Sequence, residues 1–260
     1  MRLTAAERKQ WGDDGFFIRH HQFSAAQLEL VRAAADRVAV AVCESASSGN
    51  AYQLDGNRFV DIGHITLQYE HGKQSQQARV IEPVHELDPE LGRLVADPRL
   101  VEPMRSLVGS EAISVWTAKL NFKQAEVGSG FGWHQDSPYW IHASTVVDQL
   151  PNVFVALDSS HEDNGGLRLI RGSHRRGILP GLADGSQLEG FYTHPDEIDN
   201  ARVVAPNLPA GSLLFFSPHI VHGSQPNTSE QQRRALIATY QPAGLPELKS
   251  GVPGKVFDGV

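Results

Sequence analysis

The chain has 260 residues, 40% hydrophobic and 20% charged, with a formal net charge of −7 at pH 7. That length can bury a substantial core, and the composition excludes a disordered or fibrous protein. The negative charge repels phosphate backbones and anionic lipid, so no nucleic acid and no membrane surface is expected as a partner, and a small-molecule substrate is.

The N-terminal stretch Met1-Arg-Leu-Thr-Ala-Ala-Glu-Arg-Lys carries scattered charge and no apolar run, which argues against a secretory signal. The longest apolar run, near residues 39–43, falls far short of the roughly 20 residues a membrane-spanning helix needs. With one cysteine, Cys43, read as structural, a cytoplasmic protein is expected.

Gly15-Phe16-Phe17-Ile18 predicts an early strand. Ser24-Ala-Ala-Gln27 has capping-box spacing, and Leu28, Val31, Ala35 and Val38 share one helical face to about Glu44. A second helical stretch carries Leu91, Leu94 and Val95, then, past Pro98, Val101, Met104, Leu107 and Val108, with Gly109 as its C-cap. Residues 1–110 are thus expected to form a mostly helical flank.

Beyond it, short runs at 114–123, 152–157, 166–170, 212–216 and 235–240 have strand character, separated by glycine- and proline-bearing turns. No repeat or linker interrupts them, so one domain over 1–260 is expected, its core at 111–245. Helices first and strands afterwards predict a mainly β fold: an antiparallel double sheet or barrel with flanking helices.

In Phe131-Gly132-Trp133-His134-Gln135-Asp136, an imidazole and a carboxylate lie two residues apart, which on a strand puts both on one face. A second histidine would complete the two-histidine, one-carboxylate set of non-haem iron(II) oxygenases. His222 follows a buried-looking strand and supplies one, although His219 competes with it; a bare His-x-Asp also arises as an ordinary surface pair. Eleven residues after His222 stands Arg233, whose guanidinium fork suits the distal carboxylate of 2-oxoglutarate, unless it is a solvated strand-end residue.

Together, Trp133-His-Gln-Asp136, Asn164-Gly-Gly-Leu-Arg-Leu-Ile-Arg-Gly-Ser-His174, His222-Gly-Ser-Gln-Pro-Asn with Arg233, and Asp13-Asp14-Gly15-Phe16 resemble the phytanoyl-CoA dioxygenase family over most of the chain. Arg171 departs from it, standing where the family has proline.

The resemblance implies a double-stranded β-helix, also called a jelly roll or cupin-like core. It implies His134, Asp136 and His222 as ligands to Fe(II), with His219 and His174 structural. It also turns the strand through Thr117, Lys119 and Asn121 towards 2-oxoglutarate. Asn121 and Ser224 are candidate contacts to that co-substrate, with cross-strand hydrogen bonding the plainer role. Trp140, Gln135 and Phe131 are candidates for the substrate pocket.

The expected function is an Fe(II)- and 2-oxoglutarate-dependent dioxygenase. It consumes O2, hydroxylates an unactivated C–H bond of a small metabolite or natural-product intermediate, and releases succinate and CO2. Desaturation or ring formation are variants of that outcome, and Asp136 argues against halogenation, which needs a small residue there. The alternatives are a cupin-type metal enzyme that ignores 2-oxoglutarate and a non-catalytic jelly-roll binding module. Arg171, Arg175 and Arg176 would suit a coenzyme A thioester but read better as a solvated turn. Residues 181–200 form a polar, glycine-bearing loop with the character of a lid, with plain disorder as the alternative. No motif specifies the substrate or the oligomeric state.

Overall fold

The computed structural model describes residues 2–72 and 74–258. Helix α1 (Ala5–Asp14) opens on a Thr4–Glu7 capping box and ends at Gly15, whose φ of 85° turns the chain into strand β1 (Phe16–Arg19). Ser24 and Gln27 cap α2 (Ala25–Ser45) reciprocally, as their spacing predicts, and Leu28, Val31, Ala34, Ala35, Val38 and Val42 form its buried stripe. Helices α3 (Pro89–Val95) and α4 (Pro98–Val108) each start on an aspartate cap and a first-turn proline, and Gly109 closes α4 in the left-handed region.

Between α2 and α3 lie four strands absent from the sequence expectation: β2 (Asn50–Leu54), β3 (Asn57–Ile62), β4 (Ile65–Tyr69) and β5 (Ala78–Glu82). Their alternation is shallow, because Val60, Leu67 and Ile81 are buried while Asp61, Thr66 and Glu82 present a half-buried polar face. The signal that would have found them is Asp55-Gly56. Both residues have positive φ, 46° and 76°, the requirement of the tight turn that joins β2 to β3.

The remaining strands are β6 (Ile113–Lys123), β7 (Phe131–His134), β8 (Asn152–Ala156), β9 (Leu167–Ile170), β10 (Val203–Val204), β11 (Leu213–Phe216), β12 (His222–Ser224), β13 (Arg233–Pro242) and β14 (Val256–Phe257). They make two sheets. The larger runs β1-β11-β8-β13-β6-β5-β4-β3-β2, with β14 also on β6; the smaller runs β10-β9-β12-β7, and every pairing is antiparallel.

Alternation along the larger sheet assigns side chains to two cores. Val153, Val155, Leu213 and Phe215 join Ala118, Leu120 and the α2 stripe on the helical side. Phe154, Leu214 and Phe216 point the other way, to Leu167 and Leu169 of the smaller sheet and to Ile220 in the turn before β12. Two facing antiparallel sheets with helices on one outer side are the jelly roll expected from the sequence. No helix among the described residues is long and apolar enough to cross a membrane.

Candidate metal centre and co-substrate cavity

His222 on β12 faces His134 on β7 directly across the ladder, and their rings lie 4.2 Å apart. Asp136 reaches the same place by a different route from the one predicted. β7 ends at His134, and Asp136 has helical backbone angles (φ −75°, ψ −35°) at the start of α5 (Ser137–Trp140). A turn, not strand alternation, therefore swings its carboxylate in; the Ser137 amide anchors the turn by donating to the Pro218 carbonyl at 3.1 Å. One ligand atom from each of His134, Asp136 and His222 lies within 4.8 Å of the others, and all three residues are buried.

The protonation pattern suits a metal. Nδ1 of His134 donates to the Gly132 carbonyl at 2.8 Å and Nδ1 of His222 to the Ile220 carbonyl at 3.0 Å, if each carries its proton there, as a carbonyl partner requires. Nε2 of each ring is then left unprotonated, and that of His222 is 3.9 Å from Oδ2 of Asp136. Burial pushes the His134 pKa down to about 3, with His222 adding to the effect and Asp136 opposing it. Burial likewise lowers that of His222 against the pull of Asp136. Both rings are thus neutral near pH 7, the form that ligates.

Asp136 is itself held. Asn152 Nδ2 donates to its Oδ2 at 2.8 Å, and Thr239 Oγ1 donates to Asn152 Oδ1 at 2.6 Å. No local pattern singles out Asn152 or Thr239; only sheet registration, which sets them opposite one another, brings them under the carboxylate.

A cavity adjoins the triad, lined by His134, His222, Phe131, Ser224, Lys119, Asn121 and Arg233, with Phe154, Leu167 and Ile237 as its apolar wall. Arg233 is buried, donates once, to the Gly165 carbonyl at 2.6 Å, and leaves Nε without a partner. Among the described residues it forms no ion pair. Burial lowers its pKa to about 10, so it stays charged near neutral pH. Asn121 Nδ2 is likewise buried and unpartnered. Orphaned donors around one cavity, beside a neutral-imidazole and carboxylate donor set, fit an anionic ligand next to a metal ion.

Lys123, two residues beyond Asn121, is not the competing cation. Burial, with Arg233 and Arg79 nearby, pushes its pKa down to about 6, and its Nζ donates to the carbonyls of Ser129 (2.8 Å) and Gln225 (2.6 Å).

Three predicted residues lie elsewhere. Thr117 gives its hydroxyl to Glu82 Oε1 at 2.8 Å and is not part of the cavity wall. Gln135 points away from the cavity. Its Nε2 donates to the Gly177 and His219 carbonyls and its Oε1 accepts from the Leu179 amide, so it is a backbone clamp rather than a pocket residue. Its place in the strand-end sequence, between two residues that turn inward, is the reason. Trp140 packs edge-on against Trp116, centroids 4.8 Å apart, in a small core with Val147 and Leu150. Of the rival histidines, His219 is taken up by Asp148 at 2.8 Å, and His174 packs against Gly15, where a Cβ would meet its Nδ1 at 2.4 Å.

Residues 181–200 lie across the site. Phe191 stacks on the His134 ring at 5.0 Å, Tyr139 meets Phe191 edge-on at 4.1 Å, and Tyr192 bridges to His134 through the backbone. Gly132 is required below it, since a Cβ there would come within 2.8 Å of the Tyr192 ring. The loop is clasped from outside by the β2–β3 turn, where the Asp55 carboxylate accepts from the amides of Gln187 and Leu188, both at 2.8 Å. Phe191 carried no sequence signal beyond its position in a long loop.

A jelly roll that gathers this triad, with Arg233 lining the adjoining cavity and forming no ion pair among the described residues, defines the class of two-histidine, one-carboxylate metal proteins. Within that class, the Phytanoyl-CoA dioxygenase (PhyH) family pattern matches residues 11–235, and the chain belongs to that family. Relatives include an L-proline trans-4-hydroxylase from Streptomyces griseoviridis, 32% identical over 183 residues, covering 64% of this chain and 68% of that protein. An ectoine dioxygenase from Bordetella bronchiseptica is 33% identical over 183 residues, covering 64% of this chain and 58% of the relative. Among solved structures, ectoine dioxygenase EctD of S. alaskensis with 2-oxoglutarate and 5-hydroxyectoine superposes with a TM-score of 0.71 at 23% identity, covering 93% of this chain and 77% of that one. This last likeness establishes the fold.

Proposed function

We propose that the protein is an Fe(II)- and 2-oxoglutarate-dependent dioxygenase that hydroxylates a C–H bond of a small metabolite or natural-product intermediate. One observation carries the reading: Arg233 is buried, charged and, among the described residues, without a carboxylate partner, in a cavity also lined by the neutral imidazoles of His134 and His222, which Asp136 adjoins. A buried unpaired guanidinium costs several kcal/mol unless a ligand anion meets it, roughly the scale at which an ion-pair partner is missed.

In this reading His134, Asp136 and His222 hold the iron. Arg233 and Asn121 hold the distal carboxylate of 2-oxoglutarate, Ser224 adds a hydroxyl, and Lys119 offsets negative charge at the metal end. Iron(II) with 2-oxoglutarate supplies the oxidising chemistry, reducing O2 while 2-oxoglutarate becomes succinate and CO2. The protein's part is positioning. The Thr239–Asn152 relay fixes the carboxylate, the two backbone carbonyls fix the imidazole tautomers, and Phe191 with Tyr139 shields the site from water.

The relatives' names favour this reading over a cupin enzyme that ignores 2-oxoglutarate and over a binding module. A coenzyme A thioester is disfavoured, because Arg171, Arg176 and Arg202 are half exposed and already lie beside Asp14, Glu197 and Asp199. We place the protein in a reducing, cytoplasmic compartment, working as one domain.

The test is an anaerobic titration with iron(II) and then 2-oxoglutarate, following the visible charge-transfer band of the chelate, with His222→Ala as control. A band that is lost in the variant supports the reading. Iron binding without a band overturns it.

A further inference from the structure

Towards the other end of β6 from Asn121 and Arg233, a second cavity of about 320 Å³ opens between the β5–α3 connection and the C-terminal arm that follows β13. Val115 lines it, six residues before Asn121, so roughly 20 Å of strand separates it from the co-substrate cavity. His85 and Glu86 line it from the connection and Glu247 from the arm. One donor atom from each of these three lies within 4.8 Å of the others.

The two carboxylates share this space without a cation between them. Glu247 is buried and fixed in place: Ser250 Oγ donates to its Oε2 at 3.0 Å, and a Cβ at Gly254 would collide with its Oε1. Glu86 is exposed and, among the described residues, forms no ion pair. Of the two basic residues on the wall, Arg93 is taken by Glu90, and Lys255 is exposed and pairs with neither carboxylate among the described residues. Like charges at this spacing repel, and a cation held between them reverses the sign.

The imidazole points the same way. The His85 side chain is only 9% exposed, its Nδ1 has no partner, and its Nε2 meets Glu247 Oε1 at 3.3 Å, longer than an ordinary N–H···O bond. Two donors each about 2.1 Å from a tetrahedral zinc ion lie about 3.4 Å apart, so that spacing suits a shared ion. A buried ring with so little hydrogen bonding calls for a further partner.

We propose that His85, Glu86 and Glu247 form a second metal site, for a divalent transition ion of the zinc type, which clips the C-terminal arm to the β5–α3 connection. One imidazole beside two carboxylates favours such an ion over magnesium or calcium, which take oxygen ligands. His85 and Glu247 are already placed, and Glu86 closes on the ion by a change of rotamer. The cavity leaves the remaining position to water. The site stands apart from the oxygenase reading, because it shares no residue with the triad or with the co-substrate cavity.

The test counts zinc(II) bound to the full-length protein at equilibrium, by elemental analysis. The unaltered chain is expected to bind two equivalents, and His222→Ala, in which the triad loses a ligand, is expected to keep one. Adding Glu86→Gln to that variant should weaken the remaining binding at least tenfold, and adding Glu247→Gln should do the same. Glu86 is exposed, so its substitution spares the fold even if that of Glu247 does not. Zinc should also slow hydrogen exchange at the Glu247 and Gly251 amides, which close the turn of the arm, at least tenfold. No zinc on His222→Ala, binding undiminished by Glu86→Gln, or magnesium and calcium bound as tightly as zinc would each overturn the site. Zinc bound with exchange at 247 and 251 unchanged would overturn the clip.

Discussion

Asn152 Nδ2 donates to Asp136 Oδ2 at 2.8 Å, the closest hold that the protein has on its carboxylate ligand. Partners of metal ligands fix ligand orientation, and their loss typically costs about 10–100-fold in metal affinity. Asn152→Ala is therefore expected to weaken iron(II) binding by about that factor. The anaerobic titration measures it, and an unchanged dissociation constant would show that Asp136 is held by other means.

Arg233 is expected to set the affinity for 2-oxoglutarate. Truncating one partner of a buried, hydrogen-bonded charge pair costs about 2–5 kcal/mol, so Arg233→Ala should raise the dissociation constant for 2-oxoglutarate by roughly 30-fold or more. Arg233→Lys keeps the charge without the fork and should recover only part of the loss. Band formation against 2-oxoglutarate concentration reads both, with iron binding unchanged as the control.

Gln135, a pocket candidate in the sequence, clamps backbone in the structure. Its three hydrogen bonds to the Gly177 and His219 carbonyls and the Leu179 amide are structural, and burying those groups unpaired costs about 1–3 kcal/mol each. Gln135→Ala is expected to lower unfolding free energy by about 2–4 kcal/mol, measured by urea denaturation. Unaltered stability would return Gln135 to consideration as a pocket residue.

The Asp55 clasp predicts a local effect. Removing the carboxylate in Asp55→Ala frees the Gln187 and Leu188 amides, so hydrogen exchange at those two positions should accelerate at least tenfold while exchange in β6 and β13 stays as it was. Unchanged protection at 187–188 would mean that the aromatic contacts of Phe191 hold the loop alone.

Much of the site is legible in the chain because its signals are local. The His-x-Asp pair spans three residues and Arg233 follows the first residue of the His222-Gly-Ser turn by eleven, so each half of the site is a local signal, and each residue type has a narrow chemical use. The capping box of α2 and the paired helices α3 and α4 are legible for the same reason: their hydrogen bonds close within four residues. Strands β2 to β5 escaped because their polar face is half buried, which blurs the period-two alternation. Asp55-Gly56 alone marked them.

What the sequence determined by itself was the class: a mainly β chain with flanking helices that carries a His-Asp-His triad and, eleven residues past its second histidine, an arginine. What only the tertiary structure decided was the placement of everything that acts across strands. Asn152 beneath Asp136 and Phe191 on His134 join segments 16 and 57 residues apart, and Gln135 is turned outward by its bonds to Gly177, Leu179 and His219. A one-residue slip reverses a strand's faces, and no local pattern fixes that slip; the packing of two sheets does.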